Sequence, residues 1–192
     1  MAEQKNRIRS MKTQAGILQA ATKLARQNGW KSTKIQDICD LAGVSVGAFY
    51  HHFSSKQELM NRAFLIFDDS LNDRLPPGDI PPIRAIKEVL LTQTSFIVQE
   101  AGGLIAEYYR HILFDQKKSA VSPDRKYYRA VLQFVRKAAN RLRKPFSPEY
   151  VSELLIKYVR GCIIDWCLHD CSYDLVSRTD AELDLLLDAL FE

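Results

Sequence analysis

An all-α fold is predicted, with a small three-helix module at the N-terminus followed by a larger helical domain, about nine helices in total. Three observations predict it. Apolar residues recur at helical spacing along almost the whole chain, cap and stop signals punctuate them, and one proline-rich stretch interrupts them. Alternating strand patterns, internal repeats and low-complexity tracts are absent from the 192 residues.

The first helix carries Ile17, Ala21, Leu24 and Ala25 at i, i+4, i+7 and i+8, one face of a 3.6-residue repeat. Asn28-Gly29 stops it, because glycine suits the left-handed conformation after a helix end. The second helix opens on Thr33-Lys34-Ile35-Gln36, where the Thr hydroxyl and the Gln side chain are expected to satisfy free N–H groups reciprocally. Its apolar face is Ile35, Ile38, Cys39 and Ala42, and Gly43 ends it. Ser45 caps a third short helix reaching Phe53. Ser55-Lys56-Gln57-Glu58 is a further capping box, starting a fourth helix with Leu59, Ala63, Ile66 and Phe67 at core spacing.

Leu75 to Pro82 then places four prolines and a glycine in eight residues, which cannot continue a helix. Beyond it, helices are predicted at about 82–101, 104–114, 123–144, 148–171 and 179–191. Ser147-Pro148 is a cap followed by Pro at the first helical position, and Thr179 to Glu182 reads as another capping box.

The composition is 46% hydrophobic and 26% charged, which excludes a disordered, collagen-like or disulfide-scaffold chain. The charge is unevenly placed. Residues 1–56 hold nine Lys and Arg against three acids, a net +6, whereas the remainder nets −2. Such a segment suits a polyanion, either nucleic acid or an anionic membrane surface, or is a merely solvated face; charge alone leaves these open. No apolar run approaches the roughly 18 residues of a membrane span, so no membrane partner is expected. Residues 1–12 lead into no continuous hydrophobic block, so no secretory signal is read. Four cysteines, all well separated from any zinc-ribbon pattern, fit a reduced, cytoplasmic setting.

The segment from Thr33 to Phe53 has the form of a helix-turn-helix. Gly43-Val44-Ser45 is the length of turn that sets two helices at a steep angle. Phe49 and Phe53, at i and i+4, are expected to point inward. Gly47, Tyr50, His51 and Ser54 then lie on a different, polar face, with Gly47 letting the backbone come close to a duplex. Proteins that never meet DNA also use this shape, and Tyr50 and His52 are open to a packing or capping role instead.

The run from Ile38 to Leu59 (ICDLAGVSVGAFYHHFSSKQEL), with Ile17 to Ala21, Gly29 and Thr33 upstream, resembles the DNA-binding signature of the TetR family of bacterial transcriptional regulators. The match covers roughly residues 8–65. It departs at Cys39, where the family usually has Ala, and at Ala25, where an aromatic is common. The resemblance implies a DNA-binding domain at 1–56, with the helix-turn-helix at about 33–53, and a helical effector-binding and dimerisation domain at 57–192. It further implies a homodimer on double-stranded operator DNA, its reading helices about one helical turn of DNA (34–36 Å) apart. By matching positions, Ser45, Val46, Gly47, Tyr50, His51 and His52 belong at the groove. Thr33, Tyr50 and Lys56 belong on phosphates, and the Lys5–Lys12 arm adds backbone or minor-groove contacts. Val46 and His51 are the candidates for direct base readout.

For the second domain the resemblance implies dimerisation through the last two helices. Their apolar band includes Val151, Leu155, Tyr158, Cys162, Trp166, Leu183, Leu186, Leu187 and Leu190, which also suits an ordinary core. Phe96, Tyr108, Tyr109, Phe114, Tyr127, Phe134 and Trp166 are candidates to line an effector pocket, or to be plain packing. Residues 110–144 hold 11 Lys and Arg against Asp115 and Asp124, a solvated helix face or a site for an anionic effector or extra DNA contacts. Cys162, Cys167, His169 and Cys171 lack zinc-site spacing, so no metal is assigned, although redox or metal sensing stays open. There is no glycine-rich phosphate loop, His-x-x-x-His pair or nucleophile motif, so no enzyme and no cofactor are expected. The expected function is a homodimeric transcriptional repressor released from its operator by a small-molecule effector. The alternative is a DNA-binding interaction protein that acts through a protein partner without a small-molecule ligand.

Overall fold

The computed structural model describes residues 2–77, 79–101, 103–113 and 121–192, with side chains of 2–5, 7–8 and 63–66 left aside. Among these residues run nine α-helices. They are α1 (Ala2–Asn28), α2 (Ile35–Ala42), α3 (Val46–His52), α4 (Lys56–Ser70), α5 (Pro82–Phe96), α6 (Ile105–Ile112), α7 (Lys126–Lys137), α8 (Pro148–Leu168) and α9 (Leu175–Leu190). The chain forms two compact units. The first comprises Met1–Leu65 with Glu100–Arg110; the second comprises Ile66–Gln99 with His111–Glu192. The division falls inside α4.

In the first unit α1 packs on α2, and α2 on α3. The predicted faces close on one another: Ile17, Ala21 and Ala25 of α1, Ile38 and Cys39 of α2, and Phe49, Phe53 and Leu59 are all buried. Trp30 in the α1–α2 turn joins them. Each large side chain so buried stabilises the unit by about 1.5–3 kcal/mol. Gly103 also belongs to this unit. A Cβ there would lie 2.6 Å from the Arg26 backbone nitrogen, so only glycine lets the two backbones approach.

The second unit packs α5 on α7 and α9, and α7 on α8. Its core is Ile86, Val89, Leu90, Val131, Val135, Val159 and Ile163 with their neighbours. The chain end is clipped to the α7–α8 connection by two backbone bonds, Arg143 N–H to the Leu190 carbonyl (3.0 Å) and Glu192 N–H to the Arg141 carbonyl (2.8 Å).

Several helix ends differ from the predicted ones, each for a local reason. The helix predicted at 82–101 leaves α-geometry after Phe96 for a wider turn at Ile97–Ala101. The helix predicted at 123–144 is only α7, closed by a tight turn at Ala139–Arg141. The helix predicted to reach 171 stops at Leu168, because Asp170 (φ 53°) and Cys171 (φ 56°) are both left-handed and cannot extend it. The last helix begins four residues before Thr179. Asp174 caps it by accepting the Ser177 N–H at 3.1 Å, leaving Thr179 buried inside the helix rather than at its start.

Candidate nucleic-acid interface

The turn before α3 is built from backbone first. Gly43 takes φ 67°, and the Gly43 and Val44 N–H groups bond back to the Asp40 and Cys39 carbonyls at 3.3 and 3.0 Å. This closes the last turn of α2 and frees the chain to reverse within three residues. Ser45 Oγ then accepts the Ala48 N–H at 3.1 Å and starts α3. Phe49 and Phe53 are buried, with ring centroids 5.6 Å apart, and hold α3 from behind. That rigid backing leaves one side of α3 facing solvent. Gly47 and His51 are exposed there, Tyr50 is 52% exposed, and Val46 is half-buried.

Tyr50 stands edge-on to Phe49 at 5.4 Å, so its ring is oriented while its hydroxyl reaches outward. His51 and His52 stack edge-to-face at 5.1 Å. His52 is half-buried, and loss of hydration, helped by His51, pushes its imidazole below the ordinary histidine range. The face thus offers a hydroxyl, an imidazole and the methyls of Val46 around a small residue. Those groups suit base edges and thymine methyls in a major groove.

Two predicted phosphate contacts are occupied inside the protein. Thr33 is only 3% exposed, and its hydroxyl donates to the Gly29 carbonyl at 2.9 Å instead of capping α2. The reciprocal bond at that helix start comes from Asp37, which accepts the Lys34 N–H at 3.1 Å. Lys56 donates from Nζ to the Trp30 carbonyl and lies 4.4 Å from the centre of the Trp30 ring. Desolvation pushes its ammonium below the usual lysine range, against the opposing pull of Glu107. Lys56 therefore ties the start of α4 to the α1–α2 turn. Lys31 and Lys34 are exposed beside that turn. Trp30 has no periodicity signal in the sequence, so its role as the seat for Lys56 was not legible there. Before α4 the Ser55 cap forms, but Glu58 reaches back to Ser54 instead of closing the box on Ser55. Ser55 Oγ accepts the Glu58 N–H at 3.0 Å, and the Glu58 carboxylate accepts the Ser54 N–H and hydroxyl. Hydrogen bonds from the Ser54 side chain and then its backbone hold Glu58 below the usual carboxylate range. In the Lys5–Lys12 arm, Arg9 and Lys12 are exposed; the side chains of Lys5 and Arg7 lie outside the described residues.

The described residues predicted to line an effector pocket lie in both units. Phe96 is buried against Phe67, Phe134 lies under Lys137, and Trp166 donates Nε1–H to the Tyr173 carbonyl at 2.9 Å. Tyr108 and Tyr109 pair with each other in the first unit. Phe114 lies outside the described residues. Tyr127 borders a cleft of about 320 Å³ between α7 and α8. Its other walls are Pro123, Arg125, Tyr128, Glu153, Ile156, Lys157 and Arg160. Sequence reasoning missed these residues because the cleft joins positions some thirty apart in the chain.

Of the predicted dimer residues, Val151, Leu155, Trp166, Leu183 and Leu187 are buried within the chain's own core. Tyr158, Cys162, Leu186 and Leu190 are half-buried on the α8–α9 surface. There Glu182 accepts the Tyr158 hydroxyl at 3.1 Å and the Arg178 Nε–H at 3.0 Å. Ile164, Leu168 and Leu185 project into solvent. The four cysteines are free thiols. Burial, with Cys171 alongside, pushes Cys167 up to about 12, which opposes the thiolate a redox sensor needs. Among the described residues no group of three His, Cys, Asp or Glu could hold a metal ion, and no single helix is long and apolar enough to cross a membrane.

Residues 17–63 match the family model for bacterial regulatory proteins of the tetR family. The matched segment runs from the core face of α1 through the reading helix and into α4. That segment is of the TetR family. Over almost its whole length the chain is 28% identical to the HTH-type transcriptional regulator TtgR of Pseudomonas putida, covering 94% of this chain and 92% of the relative. A probable acrEF/envCD operon repressor of Escherichia coli K12 is 24% identical, covering 95% and 89%. The HTH-type transcriptional repressor KstR2 of Mycolicibacterium smegmatis is 38% identical over 92 residues, 48% of this chain and 40% of that one. The fold matches that of NalD from Pseudomonas aeruginosa, the secondary repressor of the MexAB-OprM multidrug efflux pump, with a TM-score of 0.65 at 21% identity over 95% and 97% of the two chains. These relatives are transcriptional regulators, and the chain, similar to them over almost its whole length, is a DNA-binding regulator.

Proposed function

We propose that this regulator is a homodimeric repressor whose α3 helices occupy successive major grooves of a double-stranded operator, and that a small-molecule effector releases it. The observation that carries the reading is the solvent-facing side of α3 at Val46, Gly47, Tyr50 and His51, held from behind by Phe49 and Phe53. In this reading residues 1–56 bind DNA and residues 57–192 sense and dimerise. Lys31 and Lys34 take the phosphate role that Thr33 and Lys56 are not free to fill, positioning the module while α3 reads. Self-association runs through α8 and α9, where Ile164, Leu168 and Leu185 leave apolar side chains exposed. The names of the relatives, several of them repressors, support the negative sign of control.

Selection of bound fragments from a random duplex pool, followed by fluorescence anisotropy at low salt, tests the DNA claim. The expected result is a two-fold-related site whose half-sites are about one helical turn apart. Sedimentation should give twice the chain mass. A chain that ignores every duplex at low salt, or binds as a monomer to a site without symmetry, overturns the reading.

A further inference from the structure

The cleft between α7 and α8 carries a chemical preference in its walls. Arg125, Lys157 and Arg160 bring three cations to it against one acid, Glu153, while Ile156 and the ring of Tyr127 supply apolar surface. A concave wall of one dominant sign concentrates counter-ions of the other. Arg125 is already matched to a carboxylate. Its Nε and Nη2 donate to the two oxygens of Asp68 at 3.0 and 2.8 Å, the planar two-point geometry that guanidinium groups make with carboxylates. Asp68 is 8% exposed and sits in the final turn of α4, so this pair fastens that end of the helix to the start of α7.

We propose that the cleft binds a carboxylate joined to an apolar body, and that the bound carboxylate takes Arg125 away from Asp68. This rests on the reading that the second unit senses an effector, and names the class of that effector and the contact it breaks. The exchange puts one carboxylate in the place of another on the same guanidinium, so α4 loses a fastening. The Asp68 carboxylate is thus a built-in competitor of the ligand.

The test uses calorimetry on the full chain with decanoate and 2-naphthoate as probes, beside decanol and 2-naphthylmethanol as their neutral counterparts. At least one carboxylate should bind about tenfold more tightly than its neutral counterpart, the discrimination of one charged hydrogen-bonded contact. Lys157→Gln should weaken that carboxylate several-fold without altering the thermal melt. Asp68→Asn should tighten it by about tenfold, because the competing charge is gone and more of the protein starts binding-competent. If neither carboxylate outbinds its neutral counterpart, the proposal fails. It fails equally if a carboxylate binds but Asp68→Asn, folded by circular dichroism, leaves its affinity unchanged. Should Asp68→Asn not fold, Lys157→Gln decides alone, and an unchanged carboxylate affinity there overturns the site. Failure of DNA binding would sink the repressor reading while leaving these direct binding measurements intact. Loss of carboxylate binding leaves the DNA measurements equally untouched.

Discussion

The reading surface of α3 and the α7–α8 cleft are both polar faces backed by aromatic rings, yet they are assembled over very different lengths of chain. The local features that shape α3 lie between Cys39 and Glu58: the left-handed Gly43, the Ser45 cap, the Phe49–Phe53 pair and the cap at Ser55. The cleft joins residues near 125 to residues near 156, and its Arg125 is partnered by Asp68, 57 positions away. A site made of adjacent residues is carried by local hydrogen-bond geometry. A site made of distant ones exists only after the core has formed, and its key interactions are ion pairs rather than caps.

The sharpest way to break this comparison is to separate anchor from surface on α3. Phe49→Ala should cost about 3–5 kcal/mol in the unfolding of the first unit, since a fully buried ring is replaced by a cavity. Tyr50→Ala, one residue on, should change stability by no more than about 0.5 kcal/mol while lowering operator affinity. Urea unfolding followed by anisotropy reads both. If Tyr50→Ala unfolds the module, its ring is an anchor and the two faces of α3 have been misassigned.

The cleft has its own anchor. Asp68→Ala removes one partner of an ion pair whose side chains are only 11% and 18% exposed, leaving the guanidinium of Arg125 without its carboxylate. Breaking such a pair costs about 3 kcal/mol or more. A loss below 1 kcal/mol in denaturant unfolding would mean that water replaces Asp68 freely, and the pair would then be no fastening for α4.

Legibility in the sequence follows the same division. Periodicity placed every helix of the first unit, and the Gly43 turn, the Ser45 cap and the inward Phe49 and Phe53 stand as the spacing predicts. Thr33 and Lys56, expected on phosphates, are hydrogen-bonded within the chain. A hydroxyl or an ammonium reads the same in sequence whether it points to solvent or to a carbonyl, and both found carbonyls nearby. In the second unit, periodicity again placed the helices but not the cleft between two of them. Phe96, Phe134 and Trp166 are buried, while the cleft is lined by Arg125, Lys157 and Arg160, which look like any solvated cations until α7 and α8 are side by side. The start of the last helix was misplaced because Thr179 and Glu182 satisfy a capping pattern that Asp174 and Ser177 satisfy earlier.

Lys56 and Lys34 sharpen the contrast between holding the module together and meeting DNA. Lys56→Met should lower the first unit's stability by about 1 kcal/mol, the loss of its hydrogen bond and its contact with the Trp30 ring. The salt dependence of DNA binding should be unchanged. Lys34→Ala should do the reverse, leaving stability alone and reducing the salt slope by about 1. Titrating operator affinity against salt for both variants distinguishes them. A reduced slope in Lys56→Met would return Lys56 to the phosphate backbone.

The smallest expected effect is the pH response of His52, and its sign is fixed by burial. Folding pushes this imidazole below its ordinary value, chiefly because its hydration is reduced and secondarily because His51 is adjacent. The unfolded chain therefore binds more protons than the folded one as pH falls past about 6.5, where an ordinary histidine titrates. Stability contributed by the neutral ring is complete above that value and is lost as pH drops through the lower, folded one. Since His52 is only half-buried, screening keeps the contribution on the order of a few tenths of a kcal/mol. His52→Gln should flatten the unfolding free energy of the first unit between pH 7 and about 5 by that amount relative to the unaltered protein. A steeper fall in the variant would mean that the protonated ring, not the neutral one, is the form that α3 holds.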